Sequence, residues 1–391
     1  MNVPILVVCP YLPDPPDHGG RIRSRVLVEA LAGLGDVHLA VPAPEARALP
    51  GVAQVHPLPA RAPSPPGPFA KVATWLRGAS EVLGRRWGEG APEALARVAA
   101  ALRPELVVAD SSFVLPVTRV LAEVQVLHLH NVESAALARD VPDLRVRDRV
   151  QRGLESWLVG HAEAAAARAA RLVFTVSAQD RALLLRRAPG VPVEVVENSV
   201  DVAAIPCLPL PTSAAPLLLF VGSFEYPPNL EAARELLFVH LPVLRSAVPD
   251  LRVRVVGNDP DGVVAGWCRA AGAEAAGRVA DLRPHYAAAR CVYLPIRSGG
   301  GTRIKAIEAL AYGRPVLATA VAVEGLGLEP GREYLPFETP QEGREALARA
   351  LAAEAGALAE RGRAVAEARF DHRAARARMR AVLAPLVARP A

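Results

Sequence analysis

The residues best suited to chemistry lie between Cys291 and Thr319, where Ser298-Gly299-Gly300-Gly301-Thr302-Arg303-Ile304-Lys305 is followed by Glu308. Cys291 to Leu294 is an apolar run of strand type, Ser298 to Gly301 is a flexible turn, and Thr302 to Tyr312 has helical spacing. Gly313 stops that helix, and Pro315 opens the next strand. A strand, a glycine-rich turn and a helix start leave backbone N–H groups unpaired at the positive end of a helix dipole, which makes the stretch a candidate anion site. On the helix, Ile304, Ile307 and Leu310 can face a core, while Gly301, Lys305 and Glu308 fall on another side at i, i+4, i+7 spacing. A carboxylate only accepts hydrogen bonds, so Glu308 suits a vicinal diol such as a ribose, and Lys305 suits a diphosphate.

The competing reading is an ordinary βα turn in which Lys305 and Glu308 form a solvated pair worth roughly 0.2–0.5 kcal/mol. Composition argues against it. Of 45 basic residues only Lys71 and Lys305 are lysine, so a lysine in this turn points to a demand for a compact charge. Two further clusters carry polar groups. Gly19-Gly20 follows the first apolar run and opens a helix pattern from Arg21 to Leu34; the pair is either a phosphate contact or a plain turn. His128-Leu129-His130-Asn131-Val132-Glu133 ends another apolar run, where His130, Asn131 and Glu133 either line a site or serve as hydrogen-bonded structure. The two histidines are not metal-like without a third ligand nearby.

These clusters need strands to carry them. Ile5–Cys9, Val37–Val41, Gln54–Leu58, Leu106–Asp110, Val124–Leu129, Arg171–Val176 and Val193–Val196 read as strands, and an Ala- and Arg-rich helix spans about 145 to 170. Residues 203 to 216 hold four prolines and no period. Beyond them the scheme restarts, with strands at Leu217–Val221 and Arg252–Val256 before the glycine-rich turn. Strands alternating with helices in both halves predict two doubly wound α/β domains facing each other across a cleft. The boundaries expected are 1–205 for the first domain, 206–216 for the linker and 217–369 for the second, with the helix at about 370–391 folding back on the first.

The chain, 391 residues long with 51% hydrophobic and 22% charged residues, suits two globular domains and not a disordered chain. A net charge of +5 spread among 40 acidic residues makes no nucleic-acid stripe, although it favours anionic substrates or surfaces. Four scattered cysteines form no C-x-x-C pair, which fits a reducing cytoplasm and argues against structural zinc. The first ten residues lack the pattern of a signal peptide, and no apolar run approaches the ~20 residues of a membrane span. Residues 69–87 mix Trp75, Leu76, Val82, Leu83 and Trp87 with Lys71, Arg77, Arg85 and Arg86; they form either a peripheral membrane contact or a surface helix packing its own tryptophans.

Read together, these motifs resemble bacterial glycosyltransferases of family four, with the two-Rossmann GT-B architecture, and within it the sugar transferases of polysaccharide and exopolysaccharide synthesis. The resemblance is carried in order by Pro10 to Arg21, His130 to Glu133, Thr175-Val176-Ser177, Asn198 to Asp201, Val221 to Asn229, Gly277 to Asp281, and Gly299 through Glu308. It implies a nucleotide-sugar donor held by the C-terminal domain and an acceptor, glycan, lipid-linked or small, on the N-terminal side. Carried over, Glu308 would bind the ribose, and Lys305 with the Gly300-Gly301-Thr302 turn would bind the diphosphate. Gly19-Gly20 would contact phosphate, and the backbone at Gly222, Ser223 and Arg278 would complete the donor site. His130, Arg303 and Lys305 would serve catalysis, with Asn131, Glu133 and Asn198 on the acceptor or sugar side. The resemblance further implies retention of configuration, no metal, no cofactor beyond the donor itself, no nucleic-acid partner, and work in the cytoplasm or at the inner membrane face.

The sequence departs from the family pattern twice. Gly300 stands where the first of two glutamates seven residues apart is usual, and Ser223-Phe224 replaces the usual arginine after the first strand of the second domain. A 2-epimerase of the same fold and a silent nucleotide-sugar-binding subunit are the alternatives. A dinucleotide-dependent dehydrogenase does not fit, because no G-x-G-x-x-G follows the first strand.

Overall fold

The structure, a computed structural model, describes residues 3–16, 19–61, 74–139, 146–212, 215–299 and 304–387. The turn residues Gly300, Gly301, Thr302 and Arg303, and positions 69–73 of the basic aromatic segment, lie outside the described residues.

The chain divides into two compact units, one made of Met1–Asn198 with Arg373–Ala391 and the other of Ser199–His372. In the first, β1 (Pro4–Val8), β2 (Asp36–Pro42), β3 (Gln54–Leu58), β4 (Leu106–Asp110), β5 (Val126–His128), β6 (Leu172–Thr175) and β7 (Val193–Val195) form one sheet in the order β3-β2-β1-β4-β5-β6-β7. Every pairing is parallel, with Ile5 opposite Val37 on one side and Leu106 on the other. The middle of a parallel sheet is covered on both faces, which is why β1, β4 and β6 read as apolar runs, while the edge strands β3 and β7 carry polar residues. Ile5 and Val7 join a core with Leu27 and Leu31, whereas Leu6 and Val8 join a core with Leu95 and Ala167. The final helix, His372–Val387, places Ala375, Met379, Leu383 and Val387 in the first of these cores.

In the second unit, β8 (Leu217–Val221), β9 (Arg252–Val256), β10 (Glu274–Gly277), β11 (Cys291–Leu294), β12 (Val316–Ala318) and β13 (Leu335–Pro336) pair in parallel in the order β10-β9-β8-β11-β12-β13. The division falls at Asn198/Ser199, upstream of the expected linker at 206–216. Val200 and Val202 are buried in the second core, the Val200 amide donates to the Phe370 carbonyl at 2.9 Å, and the His372 amide donates to the Val200 carbonyl at 2.9 Å. Buried Arg314 donates to the carbonyls of Leu208 and Pro209, so the proline-rich stretch is fastened to this unit.

Both sheets reverse strand order beside their first strand, between β1 and β4 and between β8 and β11. Ligands of doubly wound sheets bind beyond the carboxyl ends of the strands at such a reversal.

The long helix Val146–Ala169 organises the rest of the first unit through two buried carboxylates eight residues apart. Glu155 accepts from the Trp75 indole at 2.6 Å, Ser80 Oγ at 2.5 Å and the Glu81 amide at 3.1 Å, at the start of the Glu81–Gly84 helix. Glu163 accepts from Ser112 Oγ at 2.8 Å, Ser134 Oγ at 2.7 Å and the Glu133 amide at 2.8 Å, at the start of the Glu133–Arg139 helix. Acidic groups at helix N-termini satisfy otherwise unpaired amides. Trp87 is buried and donates to the Phe113 carbonyl at 2.7 Å. Both tryptophans of the 69–87 segment therefore have protein partners.

Candidate functional site

In the second unit the chain leaves β8 through Gly222-Ser223 and enters the Pro227–Glu235 helix. Asn229 on that helix donates to the Ser223 carbonyl at 2.8 Å and accepts from Lys305 Nζ, in the first turn of the Ile304–Ala311 helix after β11. The Lys305 ammonium also lies 5.6 Å from the centre of the Phe220 ring. One asparagine thus ties together the two loops at the strand-order reversal. The glycines here are there for space. A Cβ on Gly257 would fall 1.6 Å from the Gly222 carbonyl oxygen, and one on Gly299, at φ +96°, would fall 2.6 Å from Tyr226 Oη. The Gly257 amide donates to the Gly277 carbonyl at 2.8 Å, which places Arg278 after β10 at the same carboxyl edge.

Glu308 lies one turn beyond Lys305, partly buried, with no hydrogen-bond donor to its carboxylate among the described residues. Burial raises its pKa to about 7, and the Lys305 charge offsets only part of that rise. Beneath it, Tyr286 and Tyr312 stack with centroids 4.2 Å apart, and the buried Tyr286 hydroxyl has no partner among the described residues. The arrangement presents a cation and an unsatisfied acceptor on one helix face at the edge of a parallel sheet. It can hold a molecule that is anionic at one end and carries hydroxyls at the other.

At the corresponding edge of the first sheet, Asp110, the last residue of β4, is fully buried. Its Oδ1 accepts from His128 Nδ1 at 2.6 Å and from His130 Nε2 at 2.7 Å, and its Oδ2 accepts from Ser24 Oγ at 2.5 Å. Burial alone would raise this carboxyl. The neighbouring His130 and the hydrogen bonds from His128 and His130 outweigh burial and hold it well below the usual carboxylate range. Burial, reinforced by the Arg23 charge, pushes His128 down to about 3. Tyr11 Oη lies 3.0 Å from His130 Nδ1, so both ring nitrogens of His130 have protein partners. Asp110 is the third metal-type group that the two histidines lacked in the sequence, with the three ligand atoms within 4.8 Å of one another. Its contacts are at hydrogen-bond lengths, whereas nitrogen and oxygen ligands of one tetrahedral zinc stand about 3.3 Å apart. The set is a hydrogen-bonded clamp.

Around the clamp, Gly19 and Gly20 open the Gly19–Leu31 helix. The guanidinium groups of Arg86 and Arg21 lie 5.6 and 6.0 Å from the centre of the Tyr11 ring, and Arg21 pairs with Glu45 at 3.0 Å. Arg86 Nε is buried without a partner among the described residues, and burial and then the neighbouring Arg85 charge lower its pKa, with Arg21 adding to the repulsion. Asn131 donates to Glu133 at 3.0 Å, and burial raises Glu133 to about 7. Asn198 accepts from buried Arg23 at 3.3 Å. The sequence reading named His130 but missed Asp110, Tyr11 and Ser24, and it placed Arg86 in the 69–87 segment and not at this edge. Asp110 had one legible signal, a charged residue closing the apolar run Leu106 to Ala109.

Residues 215–353 match the family model described as glycosyl transferases group 1. Among solved structures, the chain is similar to a sucrose-phosphate synthase from Thermosynechococcus elongatus at 20% identity and a TM-score of 0.71, covering 98% of this chain and 99% of that one. It is similar to WaaG, a glycosyltransferase involved in lipopolysaccharide biosynthesis, at 15% identity and a TM-score of 0.67, covering 97% and 99%. It is also similar to HepE from Anabaena in complex with UDP-glucose, at 15% identity and a TM-score of 0.65, covering 98% and 99%. No curated protein matches the sequence. The fold is thus the GT-B arrangement of two Rossmann-like domains. Within that class, the family match to the second unit supports a glycosyltransferase. No helix among the described residues is long and apolar enough to cross a membrane.

Proposed function

We propose that the protein is a retaining, metal-independent glycosyltransferase of the family-four kind. It would move a sugar from a nucleotide-diphosphate sugar to a glycan, lipid-linked or small-molecule acceptor in bacterial polysaccharide synthesis, in the cytoplasm or at the inner membrane face. The observation that carries this reading is Glu308, a carboxylate with no hydrogen-bond donor among the described residues, one helical turn from Lys305 at the strand-order reversal of the second sheet. Glu308 accepts the hydroxyls of the donor ribose, and Lys305, steadied by Asn229, takes the diphosphate. The UDP and UDP-glucose complexes of HepE are in keeping with such a ligand.

In the reaction the bond between the sugar's anomeric carbon and the phosphate oxygen breaks, and a bond to the acceptor oxygen forms on the same face. The acceptor proton passes to the leaving phosphate. Lys305, Arg303 and the helix dipole take up the charge that develops on that phosphate, an electrostatic contribution of several kcal/mol where donors are well placed. In the first unit, the Gly19-Gly20 helix start and Arg86 offer a second anion-binding edge. Asp110 and Tyr11 fix His130, which positions the sugar or acceptor and does not itself shuttle a proton.

Thermal-shift titration with UDP, GDP and ADP and with their glucose derivatives tests the donor, since a ligand that binds only the folded state raises its apparent stability. One nucleotide series should protect, and Lys305→Ala should lower turnover about 10²- to 10³-fold while the protein stays folded. Near-normal turnover in that variant overturns the role of Lys305. Protection without nucleotide release identifies a silent binding subunit, and an epimer formed without acceptor identifies a 2-epimerase.

A further inference from the structure

We infer that Tyr226 is the platform for the transferred sugar: a pyranose ring packs one C–H face against the phenol and is held there beside the diphosphate. The inference rests on the donor reading of Lys305 and Glu308 and goes beyond it by naming the residue that meets the sugar. A nucleotide sugar carries its diphosphate between ribose and sugar. With the ribose at Glu308 and the diphosphate at Lys305, the sugar falls on the side of Lys305 away from Glu308. Along the Ile304–Ala311 helix that direction leads back past the helix start, toward Gly299. Tyr226 stands there. A Cβ on Gly299 would fall 2.6 Å from Tyr226 Oη and 3.0 Å from Pro228 Cγ, so the tip of the phenol rests against the glycine backbone. The amide of Asn229, whose side chain accepts from Lys305 Nζ, donates to the Tyr226 carbonyl at 2.9 Å. The phenol is thus one helical turn from the residue that holds the ammonium.

The side chain is anchored yet open. Tyr226 caps the start of the Pro227–Glu235 helix, where its amide donates to the Ser223 carbonyl at 3.3 Å and its carbonyl also accepts from the Leu230 amide at 3.3 Å. Even so, the residue is 44% exposed. A ring fixed at its root and resting at its tip loses little freedom when a ligand packs on it, so the contact costs little entropy. Its surroundings suit the rest of a sugar. The exposed carboxylate of Glu225, the preceding residue, accepts from Asn258 Nδ2 at 2.7 Å. A pyranose carries C–H groups on its faces and hydroxyls around its rim. The negative face of an aromatic ring attracts the former, and a carboxylate and an amide serve the latter. Ligand sites commonly combine an aromatic wall with a few polar groups of this kind.

The experiment is calorimetric titration of the full chain with UDP, GDP or ADP, whichever series protects against melting, and with the glucose, galactose and mannose derivatives of that diphosphate. Tyr226→Ala should weaken the best-bound sugar nucleotide about three- to tenfold and leave the free diphosphate within about twofold of the wild type. Tyr226→Phe and Tyr226→Trp keep a ring and should bind both ligands like the wild type; they also serve if the alanine variant does not fold. The inference is overturned if Tyr226→Ala binds the sugar nucleotide like the wild type. It is overturned equally if that variant weakens diphosphate and sugar nucleotide by the same factor, which makes Tyr226 a cover for Gly299 alone. A fall in Tyr226→Phe as large as in Tyr226→Ala assigns the contact to the hydroxyl and overturns the packing of the ring. Failure of the donor reading looks different: no diphosphate then binds the wild type, and this inference falls with it.

Discussion

At the carboxyl edge of the first sheet, Asp110 satisfies Ser24, His128 and His130 at once, whereas Glu308 at the equivalent edge of the second sheet meets no donor among the described residues. The two carboxyls shift in opposite directions for that reason. Partners hold Asp110 well below its usual range despite complete burial, while burial with one offsetting cation raises Glu308 to about 7. A buried carboxylate that is fully hydrogen-bonded stabilises a structure, and one left unsatisfied costs stability until a ligand supplies the donors. The first edge therefore reads as a preorganised wall and the second as an acceptor whose donors are not supplied by the described residues.

The largest expected effect follows from removing the wall. Asp110→Ala leaves two imidazole groups and a hydroxyl buried without their acceptor, at a cost of about 3–5 kcal/mol. Hydrogen exchange on the full chain should show lost protection around β1, β4 and β5, with the β8 and β11 region unchanged and nucleotide affinity within about twofold. Loss of nucleotide binding with protection intact would break the contrast between the two edges.

Glu308→Gln should act the other way round. It removes an acceptor that a nucleotide needs, so the nucleotide Kd should rise about 10- to 50-fold, as for a hydrogen bond to a charged group worth roughly 1.5–3 kcal/mol. The free protein should become more stable. The folded pKa lies above the unfolded one, so the cost of the ionised form is fully present above pH 7 and disappears below about 4.5. Because Glu308 is only partly buried, a gain of about 1 kcal/mol is expected, or roughly 2–4 °C in Tm, at pH 8 and none at pH 4.5. A variant that binds nucleotide normally and melts lower would show Glu308 to be structural.

The sheets were more legible than the sites, and the reason is periodicity. Parallel strands covered on both faces leave continuous apolar runs, so Leu217–Val221 and Cys291–Leu294 could be placed to the residue, and the alternation of Arg252–Val256 placed that strand equally well. Lys305 and Glu308 were legible because they sit three apart on one short helix, where spacing alone fixes a shared face. The clamp was not. Tyr11, Ser24, Asp110 and His130 come from four separate segments, and only the sheet order, with β4 beside β1, brings them together. The division of the chain was displaced for a similar reason. Prolines at 203–216 suggest a linker, but Val200, Val202 and the carbonyls of Leu208 and Pro209 find partners far along the chain.

The finest test of the contrast is proton linkage. With a pKa near 7 in the free protein, Glu308 is about half protonated at neutral pH, and a protonated carboxyl cannot accept from both hydroxyls of a diol. Nucleotide binding should favour the ionised form and release up to one proton. The nucleotide Kd should then weaken about tenfold between pH 8 and pH 6, the ratio set by one group titrating near 7. Calorimetry in buffers of different ionisation enthalpy measures the released protons directly, at a pH where Glu308→Gln should release fewer. Glu133, also raised to about 7, lies in the first unit and keeps its Asn131 partner, so Glu133→Gln should leave the nucleotide-linked proton unchanged. If the proton count follows Glu133 and not Glu308, the nucleotide-linked acceptor belongs to the first sheet, and the assignment of nucleotide to the second is reversed.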